Sequence, residues 1–140
     1  MPDMTITVEN AALLAALHRL GTTAEIYTLA ASKITADRIR SEATARARRA
    51  FQQRTGQTVE GIVVRADQRH KPGWAVLTTR QHMPALPLWL EFGTKKGKKG
   101  STHANRARPF FFSSAALEAQ PHADRIAAAI QEALDIEGLG

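Results

Sequence analysis

The sequence predicts an α+β fold: a small antiparallel β-sheet, a hairpin plus a short third strand, packed against a long N-terminal helix and a C-terminal helix. Three observations predict it. Apolar residues recur at helical spacing through the N-terminal third, the period switches to two between Glu60 and Ala66, and helical spacing returns after Ser114. The length fits a single α+β domain over residues 1–140, since a chain of this size buries about 70% of the surface that its unfolded form exposes.

Asn10 is placed to cap a first helix over residues 10–20, with Leu13, Leu17 and Leu20 at helical spacing and Gly21 as a left-handed cap beyond the end. Thr22 and Glu25 form a capping-box pattern. It opens a second helix over residues 23–53, about 45 Å long at 1.5 Å per residue. Ile26, Leu29, Ala30 and Ile34 make one apolar stripe, and Phe51 falls near the same azimuth. Ile39 and Ala43 sit more than a third of a turn away. Either the helix kinks between Thr35 and Arg40, or it carries a second apolar face that a neighbouring subunit covers, and the sequence leaves both open. Arg38, Arg40, Arg46, Arg48 and Arg49, against Asp37 and Glu42, read as a solvated face whose last arginines complement the helix dipole.

After Thr55 and Gly56, the residues Glu60, Ile62, Val64 and Ala66 alternate with Gly61, Val63 and Arg65, as a half-buried strand requires. Residues 67–73 read as a hairpin loop, and residues 74–79 as a second strand rich in β-branched and aromatic side chains. Residues 83–92 mix prolines with Leu86, Leu88, Trp89, Leu90 and Phe92, which suggests a short helical turn started at Pro84 or Pro87, buried on the sheet and ended by Gly93. Phe110, Phe111 and Phe112 are expected to form the third strand, and Ser113 or Ser114 to cap a final helix that Pro121 interrupts or restarts. Ile126, Ile130 and Leu134 supply that helix with a core stripe, and Gly138 terminates it. Phe110, Phe111 and Trp89 are core candidates, with contact between subunits as the alternative.

The net charge of +6 and a pI near 10.3 are concentrated in one place. Between Thr94 and Pro109 lie Lys95, Lys96, Lys98, Lys99, Arg106 and Arg108 with no acid among them, and the remainder of the chain carries 13 basic and 13 acidic residues. With Gly97, Gly100 and no large aliphatic residue, residues 95–108 read as a flexible basic loop that could reach roughly 23 Å from its anchors. Two uses compete. The loop is a solvated excursion that keeps the protein soluble, or it contacts nucleic acid or an acidic partner, because clustered cations neutralise phosphates and release counterions.

Chemistry-bearing patterns are missing. The absence of cysteine excludes disulfide scaffolds, thiolate zinc sites and cysteine nucleophiles. Five histidines, at positions 18, 70, 82, 103 and 122, include no i, i+4 pair of the kind a helix-borne metal site uses. Glu91 stands without a histidine, lysine or second carboxylate at a spacing that implies a catalytic dyad, so it reads as a hydrogen-bond acceptor that fixes backbone amides. Phosphate-binding glycine loops, the nucleophile elbow and the dinucleotide fingerprint are all lacking. No catalytic residue, cofactor or metal ligand is assigned, and an enzyme is not expected. No apolar run approaches the roughly 20 residues that span a bilayer, and the N-terminus lacks the basic and apolar regions of a secretory signal. The protein is expected to act where it is made or inside a particle assembled there.

The order of these parts carries a resemblance. A leucine-rich helical N-terminus, Thr55-Gly56 before a hairpin, Leu90-Glu91-Phe92-Gly93-Thr94, a polar insertion, and Arg108-Pro109-Phe110-Phe111 entering a last amphipathic helix resemble the neck, or head-to-tail joining and tail-completion, proteins of long-tailed bacteriophages. The resemblance implies a noncatalytic virion protein that forms a closed ring, expected to be six-fold, at the junction of portal and tail. Its expected partners are copies of itself, the adjacent neck, head-closure and tail-tube proteins, and genomic DNA in the channel, with assembly in the host cytoplasm and no membrane. Glu91, Gly93 and Thr94 would form a structural turn, with Glu91 paired to Arg108 across the loop base. Ile39, Ala43, Trp89 and Phe110 are candidate subunit contacts. The alternative is a free basic module that binds nucleic acid through Lys95, Lys96, Lys98, Lys99, Arg106 and Arg108.

Overall fold

The computed structural model describes residues 11–50, 57–67, 69–70, 73–79, 86–93 and 106–140. One helix, α1 (Ala11–Ala50), is the axis of the fold. A single turn of helix, α2 (Gln57–Glu60), leads into β1 (Ile62–Ala66), which pairs with β2 (Trp74–Thr78). A short helix, α3 (Leu86–Phe92), precedes α4 (Phe112–Leu117) and α5 (Ala119–Ile136). The α+β class is as the sequence predicts, with α1 packed along α5 at one end and against both strands, α2 and α4 at the other.

The expected break at Gly21 does not occur: α1 runs through it, and Thr22 and Glu25 lie within the helix instead of opening one. The neighbouring turns are held from outside. Glu137, at the end of α5, accepts hydrogen bonds from Arg19 Nε at 2.9 Å and Thr23 Oγ1 at 3.0 Å, one residue group on each side of Gly21. Nothing stands within 4 Å of a methyl group built on Gly21. Gly21→Ala is therefore expected to stabilise the protein by roughly 0.5–1 kcal/mol, the helix-interior difference between the two residues, read as a raised thermal midpoint. At a helix end the same change would lower it.

The Arg19 guanidinium, and after it the Thr23 hydroxyl, hold the Glu137 carboxyl below its ordinary value. The depressed value belongs to the folded state alone. Its contribution to stability is thus present above the ordinary carboxylate range and is lost as pH falls through the folded value. Urea midpoints measured across the acid range are expected to fall less steeply in Glu137→Gln than in the wild type.

The buried face of α1 is not the isoleucine stripe. Ile26 is 62% exposed and Ile34 and Ala30 are exposed, whereas Ala16, Ala31, Thr35, Ala36, Ala43 and Ala47 are buried. Along the N-terminal part the buried positions face α5, whose own buried residues are Ala129 and Ala133; Ile130 of the expected stripe is exposed. Small side chains on both sides let the two backbones approach closely, which rewards alanine over isoleucine at the contact. Past Thr35 the buried azimuth shifts, because Ala43 and Ala47 meet Val59, Ile62 and Phe110 instead. This change of packing partner accounts for the two faces of the helix, and Ala43 is covered within its own chain.

The hairpin follows its sequence. Ile62 pairs with Thr78, Val64 with Val76 and Ala66 with Trp74, so one face presents Ile62 and Val76 to the core while Leu77 faces outward. The loop is closed by Asp67 N–H donating to Gly73 O at 2.9 Å, and the Asp67 carboxylate accepts from the amides of Arg69 and His70. Those amides, Arg69 first, lower its pKa. Arg40 Nε reaches Ile62 O at 3.0 Å and ties α1 to the first strand. Lys33 Nζ lies 5.1 Å from the centre of the Trp74 ring.

No third strand is present among the described residues. The sheet has two strands, and Phe110, Phe111 and Phe112 instead lead into α4. Neither Ser113 nor Ser114 caps it: Phe111 occupies the cap position, and Ser114 Oγ donates to Phe110 O within the first turn. Pro121 restarts the chain as α5, in whose first turn the missing N–H is harmless. Gly138 terminates α5 with φ of 70°; its N–H donates to Asp135 O and that of Leu139 to Leu134 O, the paired bonds of a Schellman ending.

Candidate functional site

The seven residues of α3 carry Leu90, Glu91 and Phe92 of the Leu-Glu-Phe-Gly motif, and Gly93 follows them. Pro87 lies in the first helical turn, where its lack of an N–H removes no intrahelical bond, and Gly93 ends the helix with φ of 74° while donating to Trp89 O at 2.8 Å. The chain returns at Arg108, whose N–H donates to Leu90 O at 2.8 Å. The two ends of the basic segment are thereby held side by side.

Glu91 completes the junction. It is 5% exposed, and its carboxylate takes the amides of three consecutive residues: Oε2 accepts from Phe110 at 2.7 Å and Phe111 at 2.9 Å, and Oε1 from Phe112 at 3.0 Å. This is the fixing of backbone amides that a lone carboxylate suggested. The expected Glu91–Arg108 pair is replaced by something different: Arg108 donates through Nη1 to Ala50 O at 3.1 Å, at the end of α1, where helix carbonyls lack intrahelical partners. The carboxylate is occupied instead by the three backbone amides that follow Pro109 in sequence. With three donors on it, Glu91 acts here as a clasp.

The aromatic run divides by exposure. Phe110 is fully buried against Ala43, Ala47, Val59 and Ile62, so neither it nor Ala43 is open to a neighbouring subunit. Phe111 is half-buried beside it, with ring centroids 6.4 Å apart. Phe112 points outward and meets Phe92 with centroids 5.7 Å apart. Trp89, a core candidate with subunit contact as its alternative, is 45% exposed, and Leu88 lies exposed beside it, so α3 offers an apolar surface to the outside. Ile39 is half-buried.

Of the basic residues singled out in the sequence, Arg106 and Arg108 are exposed, while Lys95, Lys96, Lys98 and Lys99 lie outside the described residues, as does Thr94. Arg108 brings this segment to the last turn of α1, which supplies Arg48 and Arg49, both exposed. The sequence placed those arginines on a solvated helix face and gave no sign that the loop base sits beside them.

A second polar cluster escaped sequence reading. Between α1 and α5, Arg125 Nη1 donates to Thr35 Oγ1 at 2.9 Å and Glu118 Oε2 at 2.8 Å, and Thr35 Oγ1 lies 3.0 Å from His122 Nδ1. The spacing of Glu118, His122 and Arg125 at i, i+4 and i+7 was its available signal. Each member has a partner, and the cluster sets the register of α5 on α1. Among the described residues no three His, Asp or Glu side chains stand together as metal ligands, and no helix is long and apolar enough to cross a membrane.

In comparisons with known proteins, no family model, no curated protein and no solved structure matches the chain.

Proposed function

We propose that the chain is a non-enzymatic structural subunit of a tailed phage or prophage-derived particle, assembling as a ring at the head–tail junction, around the DNA channel. One observation carries the reading. The two motifs behind the resemblance, Leu90-Glu91-Phe92-Gly93 and Arg108-Pro109-Phe110-Phe111, are joined by the Glu91 carboxylate into a single clasp, and the basic insertion springs from it. In a ring subunit such a base would present the inserted segment to the channel or to the adjoining ring. Exposed Leu13, Leu14, Leu17, Trp89, Phe92 and Phe112 also suit a protein that completes its burial by assembly. The partners in this reading are further copies of the chain, neck, head-closure and tail-tube proteins, and DNA in the virion.

Light scattering of the purified protein, alone and with its tail-tube or head-closure partner, tests the proposal. A ring, or a complex with either partner, is expected; a strict monomer that joins neither ends it.

A second reading, a free nucleic-acid-binding module, draws on the exposed Arg48 and Arg49 beside Arg108. It requires duplex affinity that falls steeply with salt, and loss of that affinity when Lys95, Lys96, Lys98 and Lys99 are neutralised.

A further inference from the structure

Three exposed aromatic rings stand together at one end of the molecule. Trp89, Phe92 and Phe112 are each about half exposed or more. Trp89 and Phe92 are three residues apart on α3 and so neighbours on its surface, and the Phe92 ring meets that of Phe112 with centroids 5.7 Å apart. The rings are held from behind. Phe112 gives its N–H to Glu91 Oε1, Gly93 donates to Trp89 O at the end of α3, and the Phe112 ring lies edge-on to Phe111 at 5.4 Å.

Arginines border the rings. Arg108, whose N–H is fixed to Leu90 O on α3, sends Nη1 to Ala50 O, and Arg48 lies in the same last turn of α1. Arg106 precedes Arg108 by two residues. All three are exposed, and none forms an ion pair among the described residues. Two further arginines of this end are engaged elsewhere: Arg46 with Glu42 and Ser113, and Arg49 within 3.9 Å of Glu42. Glu91, the acid of α3, is buried and occupied by three amides. Arg48, Arg106 and Arg108 therefore present positive charge that no carboxylate of the described residues neutralises.

An occupant of this surface has to offer two things at once, anions for the guanidinium groups and flat apolar area for the rings. A duplex offers phosphates, but its base faces are stacked inside. An acidic peptide offers carboxylates without a ring at each step. A single strand of nucleic acid offers both, because each phosphate is joined to a base whose faces are free. Tryptophan and phenylalanine contact those faces and not the hydrogen-bonding edges, so such binding tolerates any sequence.

We propose that this end of the molecule binds single-stranded nucleic acid, with bases stacked on Trp89, Phe92 and Phe112 and phosphates held by Arg48, Arg106 and Arg108. The proposal rests on the nucleic-acid reading above and narrows it from a polyanion in general to an unpaired strand. It involves neither a ring nor Leu13, Leu14 and Leu17, which lie at the far end of α1.

Fluorescence anisotropy with three labelled probes tests it: oligothymidylate, the same strand annealed to oligoadenylate, and an abasic strand of equal length. At equal salt the oligothymidylate is expected to bind at least about tenfold more tightly than the other two, which lack free base faces. Trp89→Ala and Phe112→Ala should each weaken that binding about fivefold or more, by the same factor at every salt concentration. Arg48→Gln/Arg106→Gln should instead flatten the salt dependence, lowering the slope of log K against log salt by about 1.4, or about 0.7 for each phosphate contact. All four residues are exposed, so wild-type circular dichroism spectra are expected. A folding defect would lower affinity in both kinds of variant alike and could not produce this contrast.

Equal affinity for the three probes overturns the proposal, as do aromatic variants that bind as the wild type does, or a wild type that does not bind oligothymidylate. Duplex binding that depends on Lys95, Lys96, Lys98 and Lys99, without preference for the single strand, overturns it and leaves the nucleic-acid reading standing. If the rings are a protein contact, Trp89→Ala and Phe112→Ala lose self-association or the head-closure partner in light scattering while no probe binds, which also overturns it. A monomer that prefers the single strand supports the proposal and ends the ring.

Discussion

Glu91→Ala is expected to destabilise the protein by about 3–5 kcal/mol, measured by urea unfolding. The change removes one side chain but strands three donors, the amides of Phe110, Phe111 and Phe112. Hydrogen bonds to a charged acceptor contribute about 1.5–3 kcal/mol each, and a buried donor left unpaired carries its full desolvation penalty. The three bonds share one carboxylate and do not add in full. Glu91→Gln separates charge from geometry. Its amide keeps one oxygen, which can serve either the Phe110 and Phe111 pair or Phe112, while the amide nitrogen faces a donor at the other position. A smaller loss of about 2 kcal/mol is expected. Loss of less than about 1 kcal/mol in Glu91→Ala would mean that the clasp does not hold the two motifs together.

The second large effect concerns adjacent phenylalanines with opposite roles. Phe110→Ala should cost about 3–5 kcal/mol, the range for emptying a buried aromatic site, because Phe110 is fully buried and fills the space between α1 and β1. Its neighbours Ala43 and Ala47 on α1 are too small to close over a void, so the relief must come from Val59 and Ile62 on the other side. Phe112→Ala, two residues on, should change monomer stability by less than about 1 kcal/mol, since its ring is more than half exposed. Chemical denaturation of the two variants side by side reads the contrast. Equal losses would contradict the burial described for this run.

The sequence made some of this legible because the deciding forces were local. The alternation from Ile62 to Ala66, the Asp67 loop, the restart at Pro121 and the ending at Gly138 depend on residues within a few positions of one another. The role of Glu91 as an amide acceptor was legible too, since no partner at catalytic spacing competed for it. What stayed hidden was decided at a distance. Gly21 has the local character of a helix end, but Glu137, more than a hundred positions away, grips the turns on both sides of it. The consecutive phenylalanines have strand propensity, but Glu91 takes the very amides that a ladder would need. Hydropathy ranked Ile26, Ile34 and Ile130 above the alanines, whereas close helix contact selected Ala31, Ala129 and Ala133. Trp89 reads from the sequence as a core candidate or a subunit contact, and its exposure removes the first of these, a choice that no local signal makes.

The hydrogen bond from Arg108 to Leu90 has a practical corollary. It brings the exit and re-entry of residues 94–107 to within one backbone contact, and the Glu91 carboxylate secures the same spot from the other side. Closure entropy grows slowly with the length of a chain held at both ends, by about 0.6 kcal/mol per doubling, so an insertion between these anchors is expected to leave the thermal midpoint close to the wild type's. An affinity tag or a small fluorescent domain spliced in there leaves both anchors in place.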